Sequence, residues 1–419
     1  MSTDTRSKRD FDLIVWGASG FTGRLVAEYL LGQYGADGEL RWAMAGRNQA
    51  KLESVRKGIG TGSEAIPILI AVSHDPASLD ALVNQTSVIC STVGPFAKYG
   101  SELVAACAQA GTHYCDITGE VQWVRRMIDA HEEQARASGA RIVNCCGFDS
   151  IPSDLGCLFV NRAMENRHGS ACEEVKMRVR RMRGAFSGGT FASMLNAVEE
   201  ARRDPKARKS MGNPYGLNPV GETSGPDVPD QSSPRWDADV NSWTAPFVMA
   251  AINTRVVRRS NALMDYEYGR DFRYSEAMMT GRGIGGWTRA VSITGALAGF
   301  LLATTTSPTR ALVSKLMPDP GEGPSPEDRE RGFFDIVMVG KAGDRVLRAR
   351  VKADRDPGYG ATCKMLGESA ACLALEKDKL DVAGGFWTPA AAMGSRLIAR
   401  LENNAGMSFE IEPDRSGSG

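Results

Sequence analysis

Histidine is scarce in this chain, four in 419 residues, and no two stand at metal-ligand spacing. The nine cysteines, at positions 90, 107, 115, 145, 146, 157, 172, 363 and 372, contain no CxxC pair, and their number is odd. Both facts argue against a zinc site or a disulfide framework. No metal is expected, and the thiols read as small buried apolar groups of a reducing compartment. An excess of charge is lacking too: Lys plus Arg and Asp plus Glu number 50 each, so nothing points to nucleic acid. The opening residues, MSTDTRSKRDFDL, have no apolar core of the secretory kind, and a cytoplasmic protein is expected. Long hydrophobic runs are also missing. The nearest is AVSITGALAGFLLATTTSP (290–308), which carries no charge but is interrupted by Ser, Thr and Gly. A span needs about 20 predominantly apolar residues. The stretch reads first as a buried or subunit-interface helix, and second as a surface for lipid or an acyl chain. A homodimer is the expected assembly, with peripheral membrane contact through 290–308 as the second reading.

What is present is rhythm. Hydrophobic residues make up 42% and charged residues 24%, an ordinary soluble composition. At 419 residues the chain exceeds one ordinary core, so two domains or a large insertion are expected. Short β-rich runs at 11–16, 40–45, 66–70, 87–93, 112–117 and 140–146 alternate with helical segments near 21–32, 48–58, 76–84, 100–110 and 121–138. Continuous apolar strands separated by helices predict an α/β fold: a Rossmann-type, doubly wound parallel sheet over residues 1–150. Beyond it, EVKMRVRRMRG (173–183) alternates like a half-exposed strand, and 190–203 reads as a helix. Residues 204–246 read as a long irregular connection. Further strands are expected at 271–279, 332–340 and 344–354, the last two joined by KAG as a tight hairpin. This predicts a second, α+β domain with a mixed sheet over 151–385. A helix near 388–401, opened by proline, returns to the first domain over 386–419.

The stretch LIVWGASGFTGRL (13–25) follows the first strand and opens the first helix. Gly17, Gly20 and Gly23 form GxxGxxG in place of the stricter GxGxxG. Gly17 ends the strand in a tight turn, Ala18 and Ser19 are small enough for backbone to approach a pyrophosphate, and Gly23 permits close helix–sheet packing. The helix start offers free N–H groups to phosphate oxygens, with the Ser19 and Thr22 hydroxyls beside them. A plain strand-to-helix link is the alternative; the βαβ context favours phosphate. Strand two ends in AMAGRNQ, so Gly46 and Arg47 stand where an NAD enzyme keeps an acid for the ribose hydroxyl. A guanidinium matches a 2′-phosphate, which makes NADPH the expected cofactor ahead of NADH, unless Arg47 simply points to solvent.

These motifs, with AGR (45–47), TVGPF (92–96) followed by YG (99–100), YCDITGE (114–120), GFDSIPSDLG (147–156) and TPAAAMG (388–394), resemble the saccharopine dehydrogenase-like oxidoreductases over nearly the whole chain. NTRVVRRSNAL (253–263) and RYSEAM (273–278) are similar to one subgroup, the trans-acting enoyl reductases of mycobacterial phthiocerol and glycolipid synthesis. The resemblance implies a Rossmann-type domain, an inserted α+β domain and a returning C-terminal helix. It implies that Gly17, Ser19, Gly20, Phe21, Thr22, Gly23 and Arg47 line the adenosine and phosphate end of the cofactor. Thr92, Val93, Gly94, Pro95 and Phe96 would close over it beyond strand four. It also implies reduction of an enoyl group on a lipid or polyketide acyl chain held by a carrier protein. Val72 departs from the pattern, standing where relatives can carry an acid near the adenine.

Enoyl reduction needs a reducing equivalent at the β-carbon and a proton at the α-carbon. Proton donors stand at strand ends: Tyr99, Tyr114, Asp116, Glu120 and Asp149, of which Tyr114, Asp116, Glu120 and Asp149 are the catalytic candidates. In DITGE, mutual repulsion between Asp116 and Glu120 would raise one pKa; a polar turn capping the next helix is the equal alternative. Ser150 and Ser153 either contact ligand or cap a helix opened by Pro152. SGGT (187–190) either receives an anionic oxygen at a helix start or is a turn. The arginines of KMRVRRMR and RVVRR form a solvated basic face or a dock for an acidic carrier, Arg178 and Arg180 being the test positions. Two rival functions stand beside enoyl reduction: a saccharopine dehydrogenase-type amine oxidoreductase, whose site would be arginine-rich, and a non-catalytic lipid-associated module that keeps the cofactor pocket.

Overall fold

The computed structural model describes residues 9–184, 188–304 and 323–413. Its first sheet gathers β1 (Phe11–Trp16), β2 (Trp42–Gly46), β3 (Ile68–Ile70), β4 (Thr86–Ser91), β5 (His113–Asp116), β6 (Arg141–Val143) and β13 (Gly385–Trp387). The order is β13-β6-β5-β4-β1-β2-β3, and every pairing is parallel. Strands buried on both faces need apolar side chains throughout, and β2 and β4 are buried at every position. The chain runs from β1 outward through β2 and β3, then restarts with β4 on the other side of β1. That reversal opens a crevice beyond the carboxyl ends of β1 and β4, where ligands of such sheets bind.

The second sheet gathers β7 (Glu174–Arg183), β8 (Arg235–Asp237), β9 (Ser242–Ala245), β10 (Arg273–Gly281), β11 (Phe333–Ala342), β12 (Arg345–Ala353) and β14 (Met407–Ile411). Its order is β14-β12-β11-β7-β10-β9-β8, with β7 and β10 parallel and the other pairs antiparallel. This is the mixed sheet that the second half of the chain predicts. The β11–β12 turn falls on Gly343 and Asp344, one step beyond the expected KAG, because Ala342 already pairs with Arg345. Gly343 has φ 58°, the left-handed value that a two-residue hairpin turn demands.

Three features differ from the sequence reading. The connection 204–246 contains the helix Pro205–Gly212 and the strands β8 and β9. The chain returns to the first sheet with the helix Gly360–Leu375, packed on β4, β5 and β1, before β13 pairs with β6. The arginines of RVVRR do not form a basic face: they lie on the helix Ala250–Leu263 and are buried. Arg258 donates to Asp227 Oδ2 (2.5 Å), Pro214 O (3.2 Å) and Tyr274 O (3.0 Å). Arg259 donates to Leu217 O (2.6 Å) and Phe386 O (2.7 Å), and Arg255 pairs with Asp230. An irregular segment leaves carbonyls without ladder partners, and a guanidinium has five N–H groups to give them. Arg178 is likewise buried, with Nε 2.7 Å from Asp237 Oδ2, so it is no surface dock; Arg180 stays partly exposed, 3.7 Å from Asp335.

Candidate active site in the crevice

The carboxyl end of β1 turns at Gly17, whose φ is 87°. A side chain there would lie 2.5 Å from Val93 Cγ2 and 2.8 Å from Thr92 Oγ1. Thr92 Oγ1 donates to Trp16 O at 3.0 Å and so holds the loop after β4 against the end of β1. The helix Phe21–Tyr34 begins with no side-chain cap and no acid in its first turn. Gly23 sits in that turn, and a Cβ there would come within 2.2 Å of Gly17 O. The helix start is therefore pressed onto the loop, and among the described residues no carboxylate caps its first N–H groups. Such a cradle fits a diphosphate. Ser19 Oγ leans toward Gly46 at the end of β2, and Phe21 and Thr22 are half-buried in the first turn.

Arg47 follows β2 directly, is exposed, and has no acidic partner among the described residues. Asn48, beside it, caps the next helix by accepting from Lys51 N at 2.9 Å. Ile70 and Val72, at the end of β3, are large apolar side chains left exposed at this same edge. Val72, which the sequence marks only as a departure, thus becomes half of an apolar ledge beside Arg47. Gly94 and Pro95 carry the loop onward to Phe96, which is buried against Trp123 with ring centroids 5.6 Å apart. Tyr99 lies outward, its ring 5.8 Å from His74.

The four carboxyl and phenol candidates separate into distinct roles. Tyr114 is fully buried and donates to Asp116 Oδ2 at 3.0 Å. Asp116 accepts also from Asn144 Nδ2 (2.8 Å), Thr118 N (3.0 Å) and Cys145 N (3.1 Å). Burial lifts its carboxyl to about 6, and these four donors hold it from rising further. Glu120 accepts from Phe96 N (2.8 Å), Ala97 N (3.1 Å) and Ser193 Oγ (3.0 Å), so it fixes the loop after β4. Burial raises its carboxyl as well. Repulsion between Asp116 and Glu120, expected from DITGE, is not the cause of either shift, because each faces its own donors. The stretch is a polar turn, in which Asp116 receives Thr118 N and Thr118 Oγ1 receives Glu120 N at 3.2 Å, but neither side chain caps the next helix: its N-cap is Glu120, with no side-chain capping bond.

Asp149 differs from all of these. No other side chain donates to it among the described residues, and burial pushes its carboxyl up to about 7, with Asp116 adding to the rise. Its Oδ1 lies 3.7 Å from where a Cβ on Gly119 would be, so it stands across the crevice from the β5 loop. Around it are Ile117, Ile252 and Thr362, all within reach of Gly119 or Gly147. Phe148 beneath it packs on Phe334 (5.0 Å) and Phe247 (6.5 Å) from the second sheet side. Ser150 and Ser153 turn away from the crevice: Ser150 Oγ donates to Asn253 Oδ1, and Asn253 Nδ2 donates to Ser153 Oγ, both at 3.1 Å. Asn253 also donates to Glu276 Oε2 at 3.0 Å. Asn253 thus holds the start of the helix Ile151–His168 that follows Asp149. The sequence reading gave it no role, since an amide between Ile252 and Thr254 carries no local sign of its distant partners. Of SGGT, Ser187 lies outside the described residues, and the helix Gly188–Arg203 starts just after it.

One contact brings the second half of the chain over the glycine turn. Phe21 meets Tyr359 edge-on at 4.6 Å, and the Arg329 guanidinium stands 5.6 Å from the Phe21 ring. No local pattern announces it, since the partners are more than three hundred residues apart in sequence.

Comparison with known proteins adds to this geometry. Residues 13–143 match the family model described as the saccharopine dehydrogenase NADP binding domain. A Mycobacterium tuberculosis protein provisionally named a trans-acting enoyl reductase is 42% identical, covering 97% of this chain and 98% of its own. The trans-acting enoyl reductase of Mycobacterium ulcerans is 40% identical, covering 94% of this chain and 96% of its own. Among solved structures, an amine dehydrogenase from Mycobacterium smegmatis is 13% identical with a TM-score of 0.41, covering 90% of this chain and 95% of that one.

Proposed function

Because the chain belongs to the trans-acting enoyl reductase family and carries the saccharopine dehydrogenase NADP-binding domain, we propose that it saturates the double bond of a lipid or polyketide enoyl thioester held on a carrier protein. It is an NADPH-dependent oxidoreductase. The observation that carries the proposal is Asp149, a half-buried carboxyl pushed up to about 7 beyond the strand ends, with no side-chain donor among the described residues and Ile117 and Ile252 beside it.

Bound NADPH supplies the reducing equivalent for the β-carbon. The glycine turn and the first N–H groups of the helix Phe21–Tyr34 hold its diphosphate, and Arg47 takes the 2′-phosphate. Thr92, Val93 and the loop that Glu120 anchors border the cofactor on the β4 side. Asp149, part protonated near neutral pH, gives its proton to the α-carbon as the double bond is lost. Ile117, Phe148 and Ile252 flank that half-buried carboxyl and offer the acyl chain an apolar wall. The arginines of the helix Ala250–Leu263 do not suit the rival amine chemistry, because their guanidinia are committed to loop carbonyls and to Asp227 and Asp230. A homodimeric state and peripheral membrane contact belong to the same proposal, and the second is developed below.

The experiment is turnover of an enoyl thioester on a pantetheine carrier, followed as NADPH consumption and saturated product. Asp149→Asn is expected to lower kcat by about a hundredfold or more while NADPH still binds. Full activity in that variant would remove Asp149 from the chemistry.

A further inference from the structure

A surface helix ordinarily turns charge to water and an apolar stripe to the core. The helix Gly283–Ala303 does not. It packs on β9 and β10, and only Gly286 and Ala290 are buried. After Arg289 it carries no charged residue to its end. Ile284, Val291 and Leu302 are 82%, 41% and 68% exposed. At about 100° per residue they share one outward face with Thr288 and Gly295, opposite the buried pair. Residues 305–308 of the uncharged stretch lie outside the described residues.

The surroundings indicate what covers this face. Trp287 is 47% exposed near the start of the helix, and Trp236, 45% exposed, packs edge-on against Trp243 at 5.9 Å on the adjoining strands β8 and β9. The two charges of the helix and its N-cap, Arg289 and Arg282, are both positive. Arg282 Nε donates only to Asn241 O (3.1 Å) and Arg289 Nε to Gly285 O (3.1 Å), which leaves both exposed guanidinia their charge. The carboxylates of the neighbouring β8–β9 turn are already neutralised, Asp237 by Arg178 and Asp239 by Lys176 and Lys341. An apolar face bordered by tryptophans and arginines, with the carboxylates of the β8–β9 turn paired among the described residues, has the chemistry of the boundary between acyl chains and anionic headgroups. The helix is not long and apolar enough to cross a bilayer, and one side of it is occupied by the sheet.

We infer that the helix Gly283–Ala303, with Trp236 and Trp287 beside it, lies in the plane of an anionic lipid surface. This docking is independent of turnover and is tested without it. The full chain is floated with vesicles of phosphatidylcholine alone or mixed with phosphatidylglycerol. Retention is expected on the mixed vesicles and is expected to fall with salt. Val291→Glu with Leu302→Glu should weaken it by more than about tenfold. Arg282→Gln and Arg289→Gln should each weaken it about fivefold. NADPH affinity should stay unchanged in every variant, which shows that the fold and the cofactor site persist. No retention on either vesicle by protein that binds NADPH normally would overturn the inference. So would a dimer that the two glutamates dissociate without any change in flotation, since that result gives the face to a second copy of the chain.

Discussion

Asp116 ends β5, Asp149 lies in the turn between β6 and the helix Ile151–His168, and both are carboxyls whose pKa burial has raised. What separates them is their donors. Asp116 has four, and replacing it by Asn is expected to cost about 1–3 kcal/mol in urea unfolding, because at least one of those donors loses its acceptor. Burial disfavours the ionised form of Asp149, and among the described residues no side chain donates to it. Its folded pKa lies above the unfolded value; the stability linked to its neutral form is therefore present at low pH and lost as pH rises through about 7. The proposed chemistry uses the same proton, so kcat is expected to fall as pH rises through about 7, and a rate that instead rises there would contradict the role. At the other end of the crevice, Arg47→Glu should weaken NADPH binding by about tenfold to a hundredfold and leave NADH nearly unaffected, measured by titration calorimetry. Equal affinity for both nucleotides in the native protein would refute this role for Arg47. Gly23→Ala should abolish nucleotide binding with a loss of about 1–3 kcal/mol, since its methyl would sit 2.2 Å from Gly17 O.

At the scale of elements, the first sheet was almost entirely legible in the sequence. Its strands must be apolar throughout because helices cover both faces, and that leaves an unmistakable alternation of runs. The glycine turn was legible for the same kind of reason: Gly17 and Gly23 occupy places where no side chain fits. The helix Ala250–Leu263 was not. RVVRR reads alike whether its arginines face water or thread a loop, and only the distant carbonyls of Pro214, Leu217 and Phe386 decide it. The three-residue strands β8 and β13 are too short to carry a period. Arg258→Ala tests the structural reading of that helix. Arg258 and Asp227 are both buried, so removing one partner strands the other, and a loss of about 3–5 kcal/mol is expected in chemical denaturation. A change within half a kcal/mol, as at an exposed position (roughly ±0.5), would return the arginines to the surface.

At the scale of the whole molecule, the crevice is a joint product of both sheets. The β1, β4, β5 and β6 sides supply the glycine turn, the Glu120-anchored loop and Asp149, while Ile252, and Phe247 and Phe334 behind Phe148, come from the second half of the chain. The helix Gly360–Leu375 and β13 then tie the two halves together. The proposed reaction uses this arrangement to bring a cofactor on one sheet to an acyl chain on the other. The most direct test uses NADPH carrying deuterium at its transferable position, with an enoyl-pantetheine thioester, and mass spectrometry of the product. One deuterium at the β-carbon of a saturated thioester, with the α-hydrogen drawn from solvent, is the predicted result. An unreduced thioester recovered from enzyme that binds NADPH tightly would contradict the account.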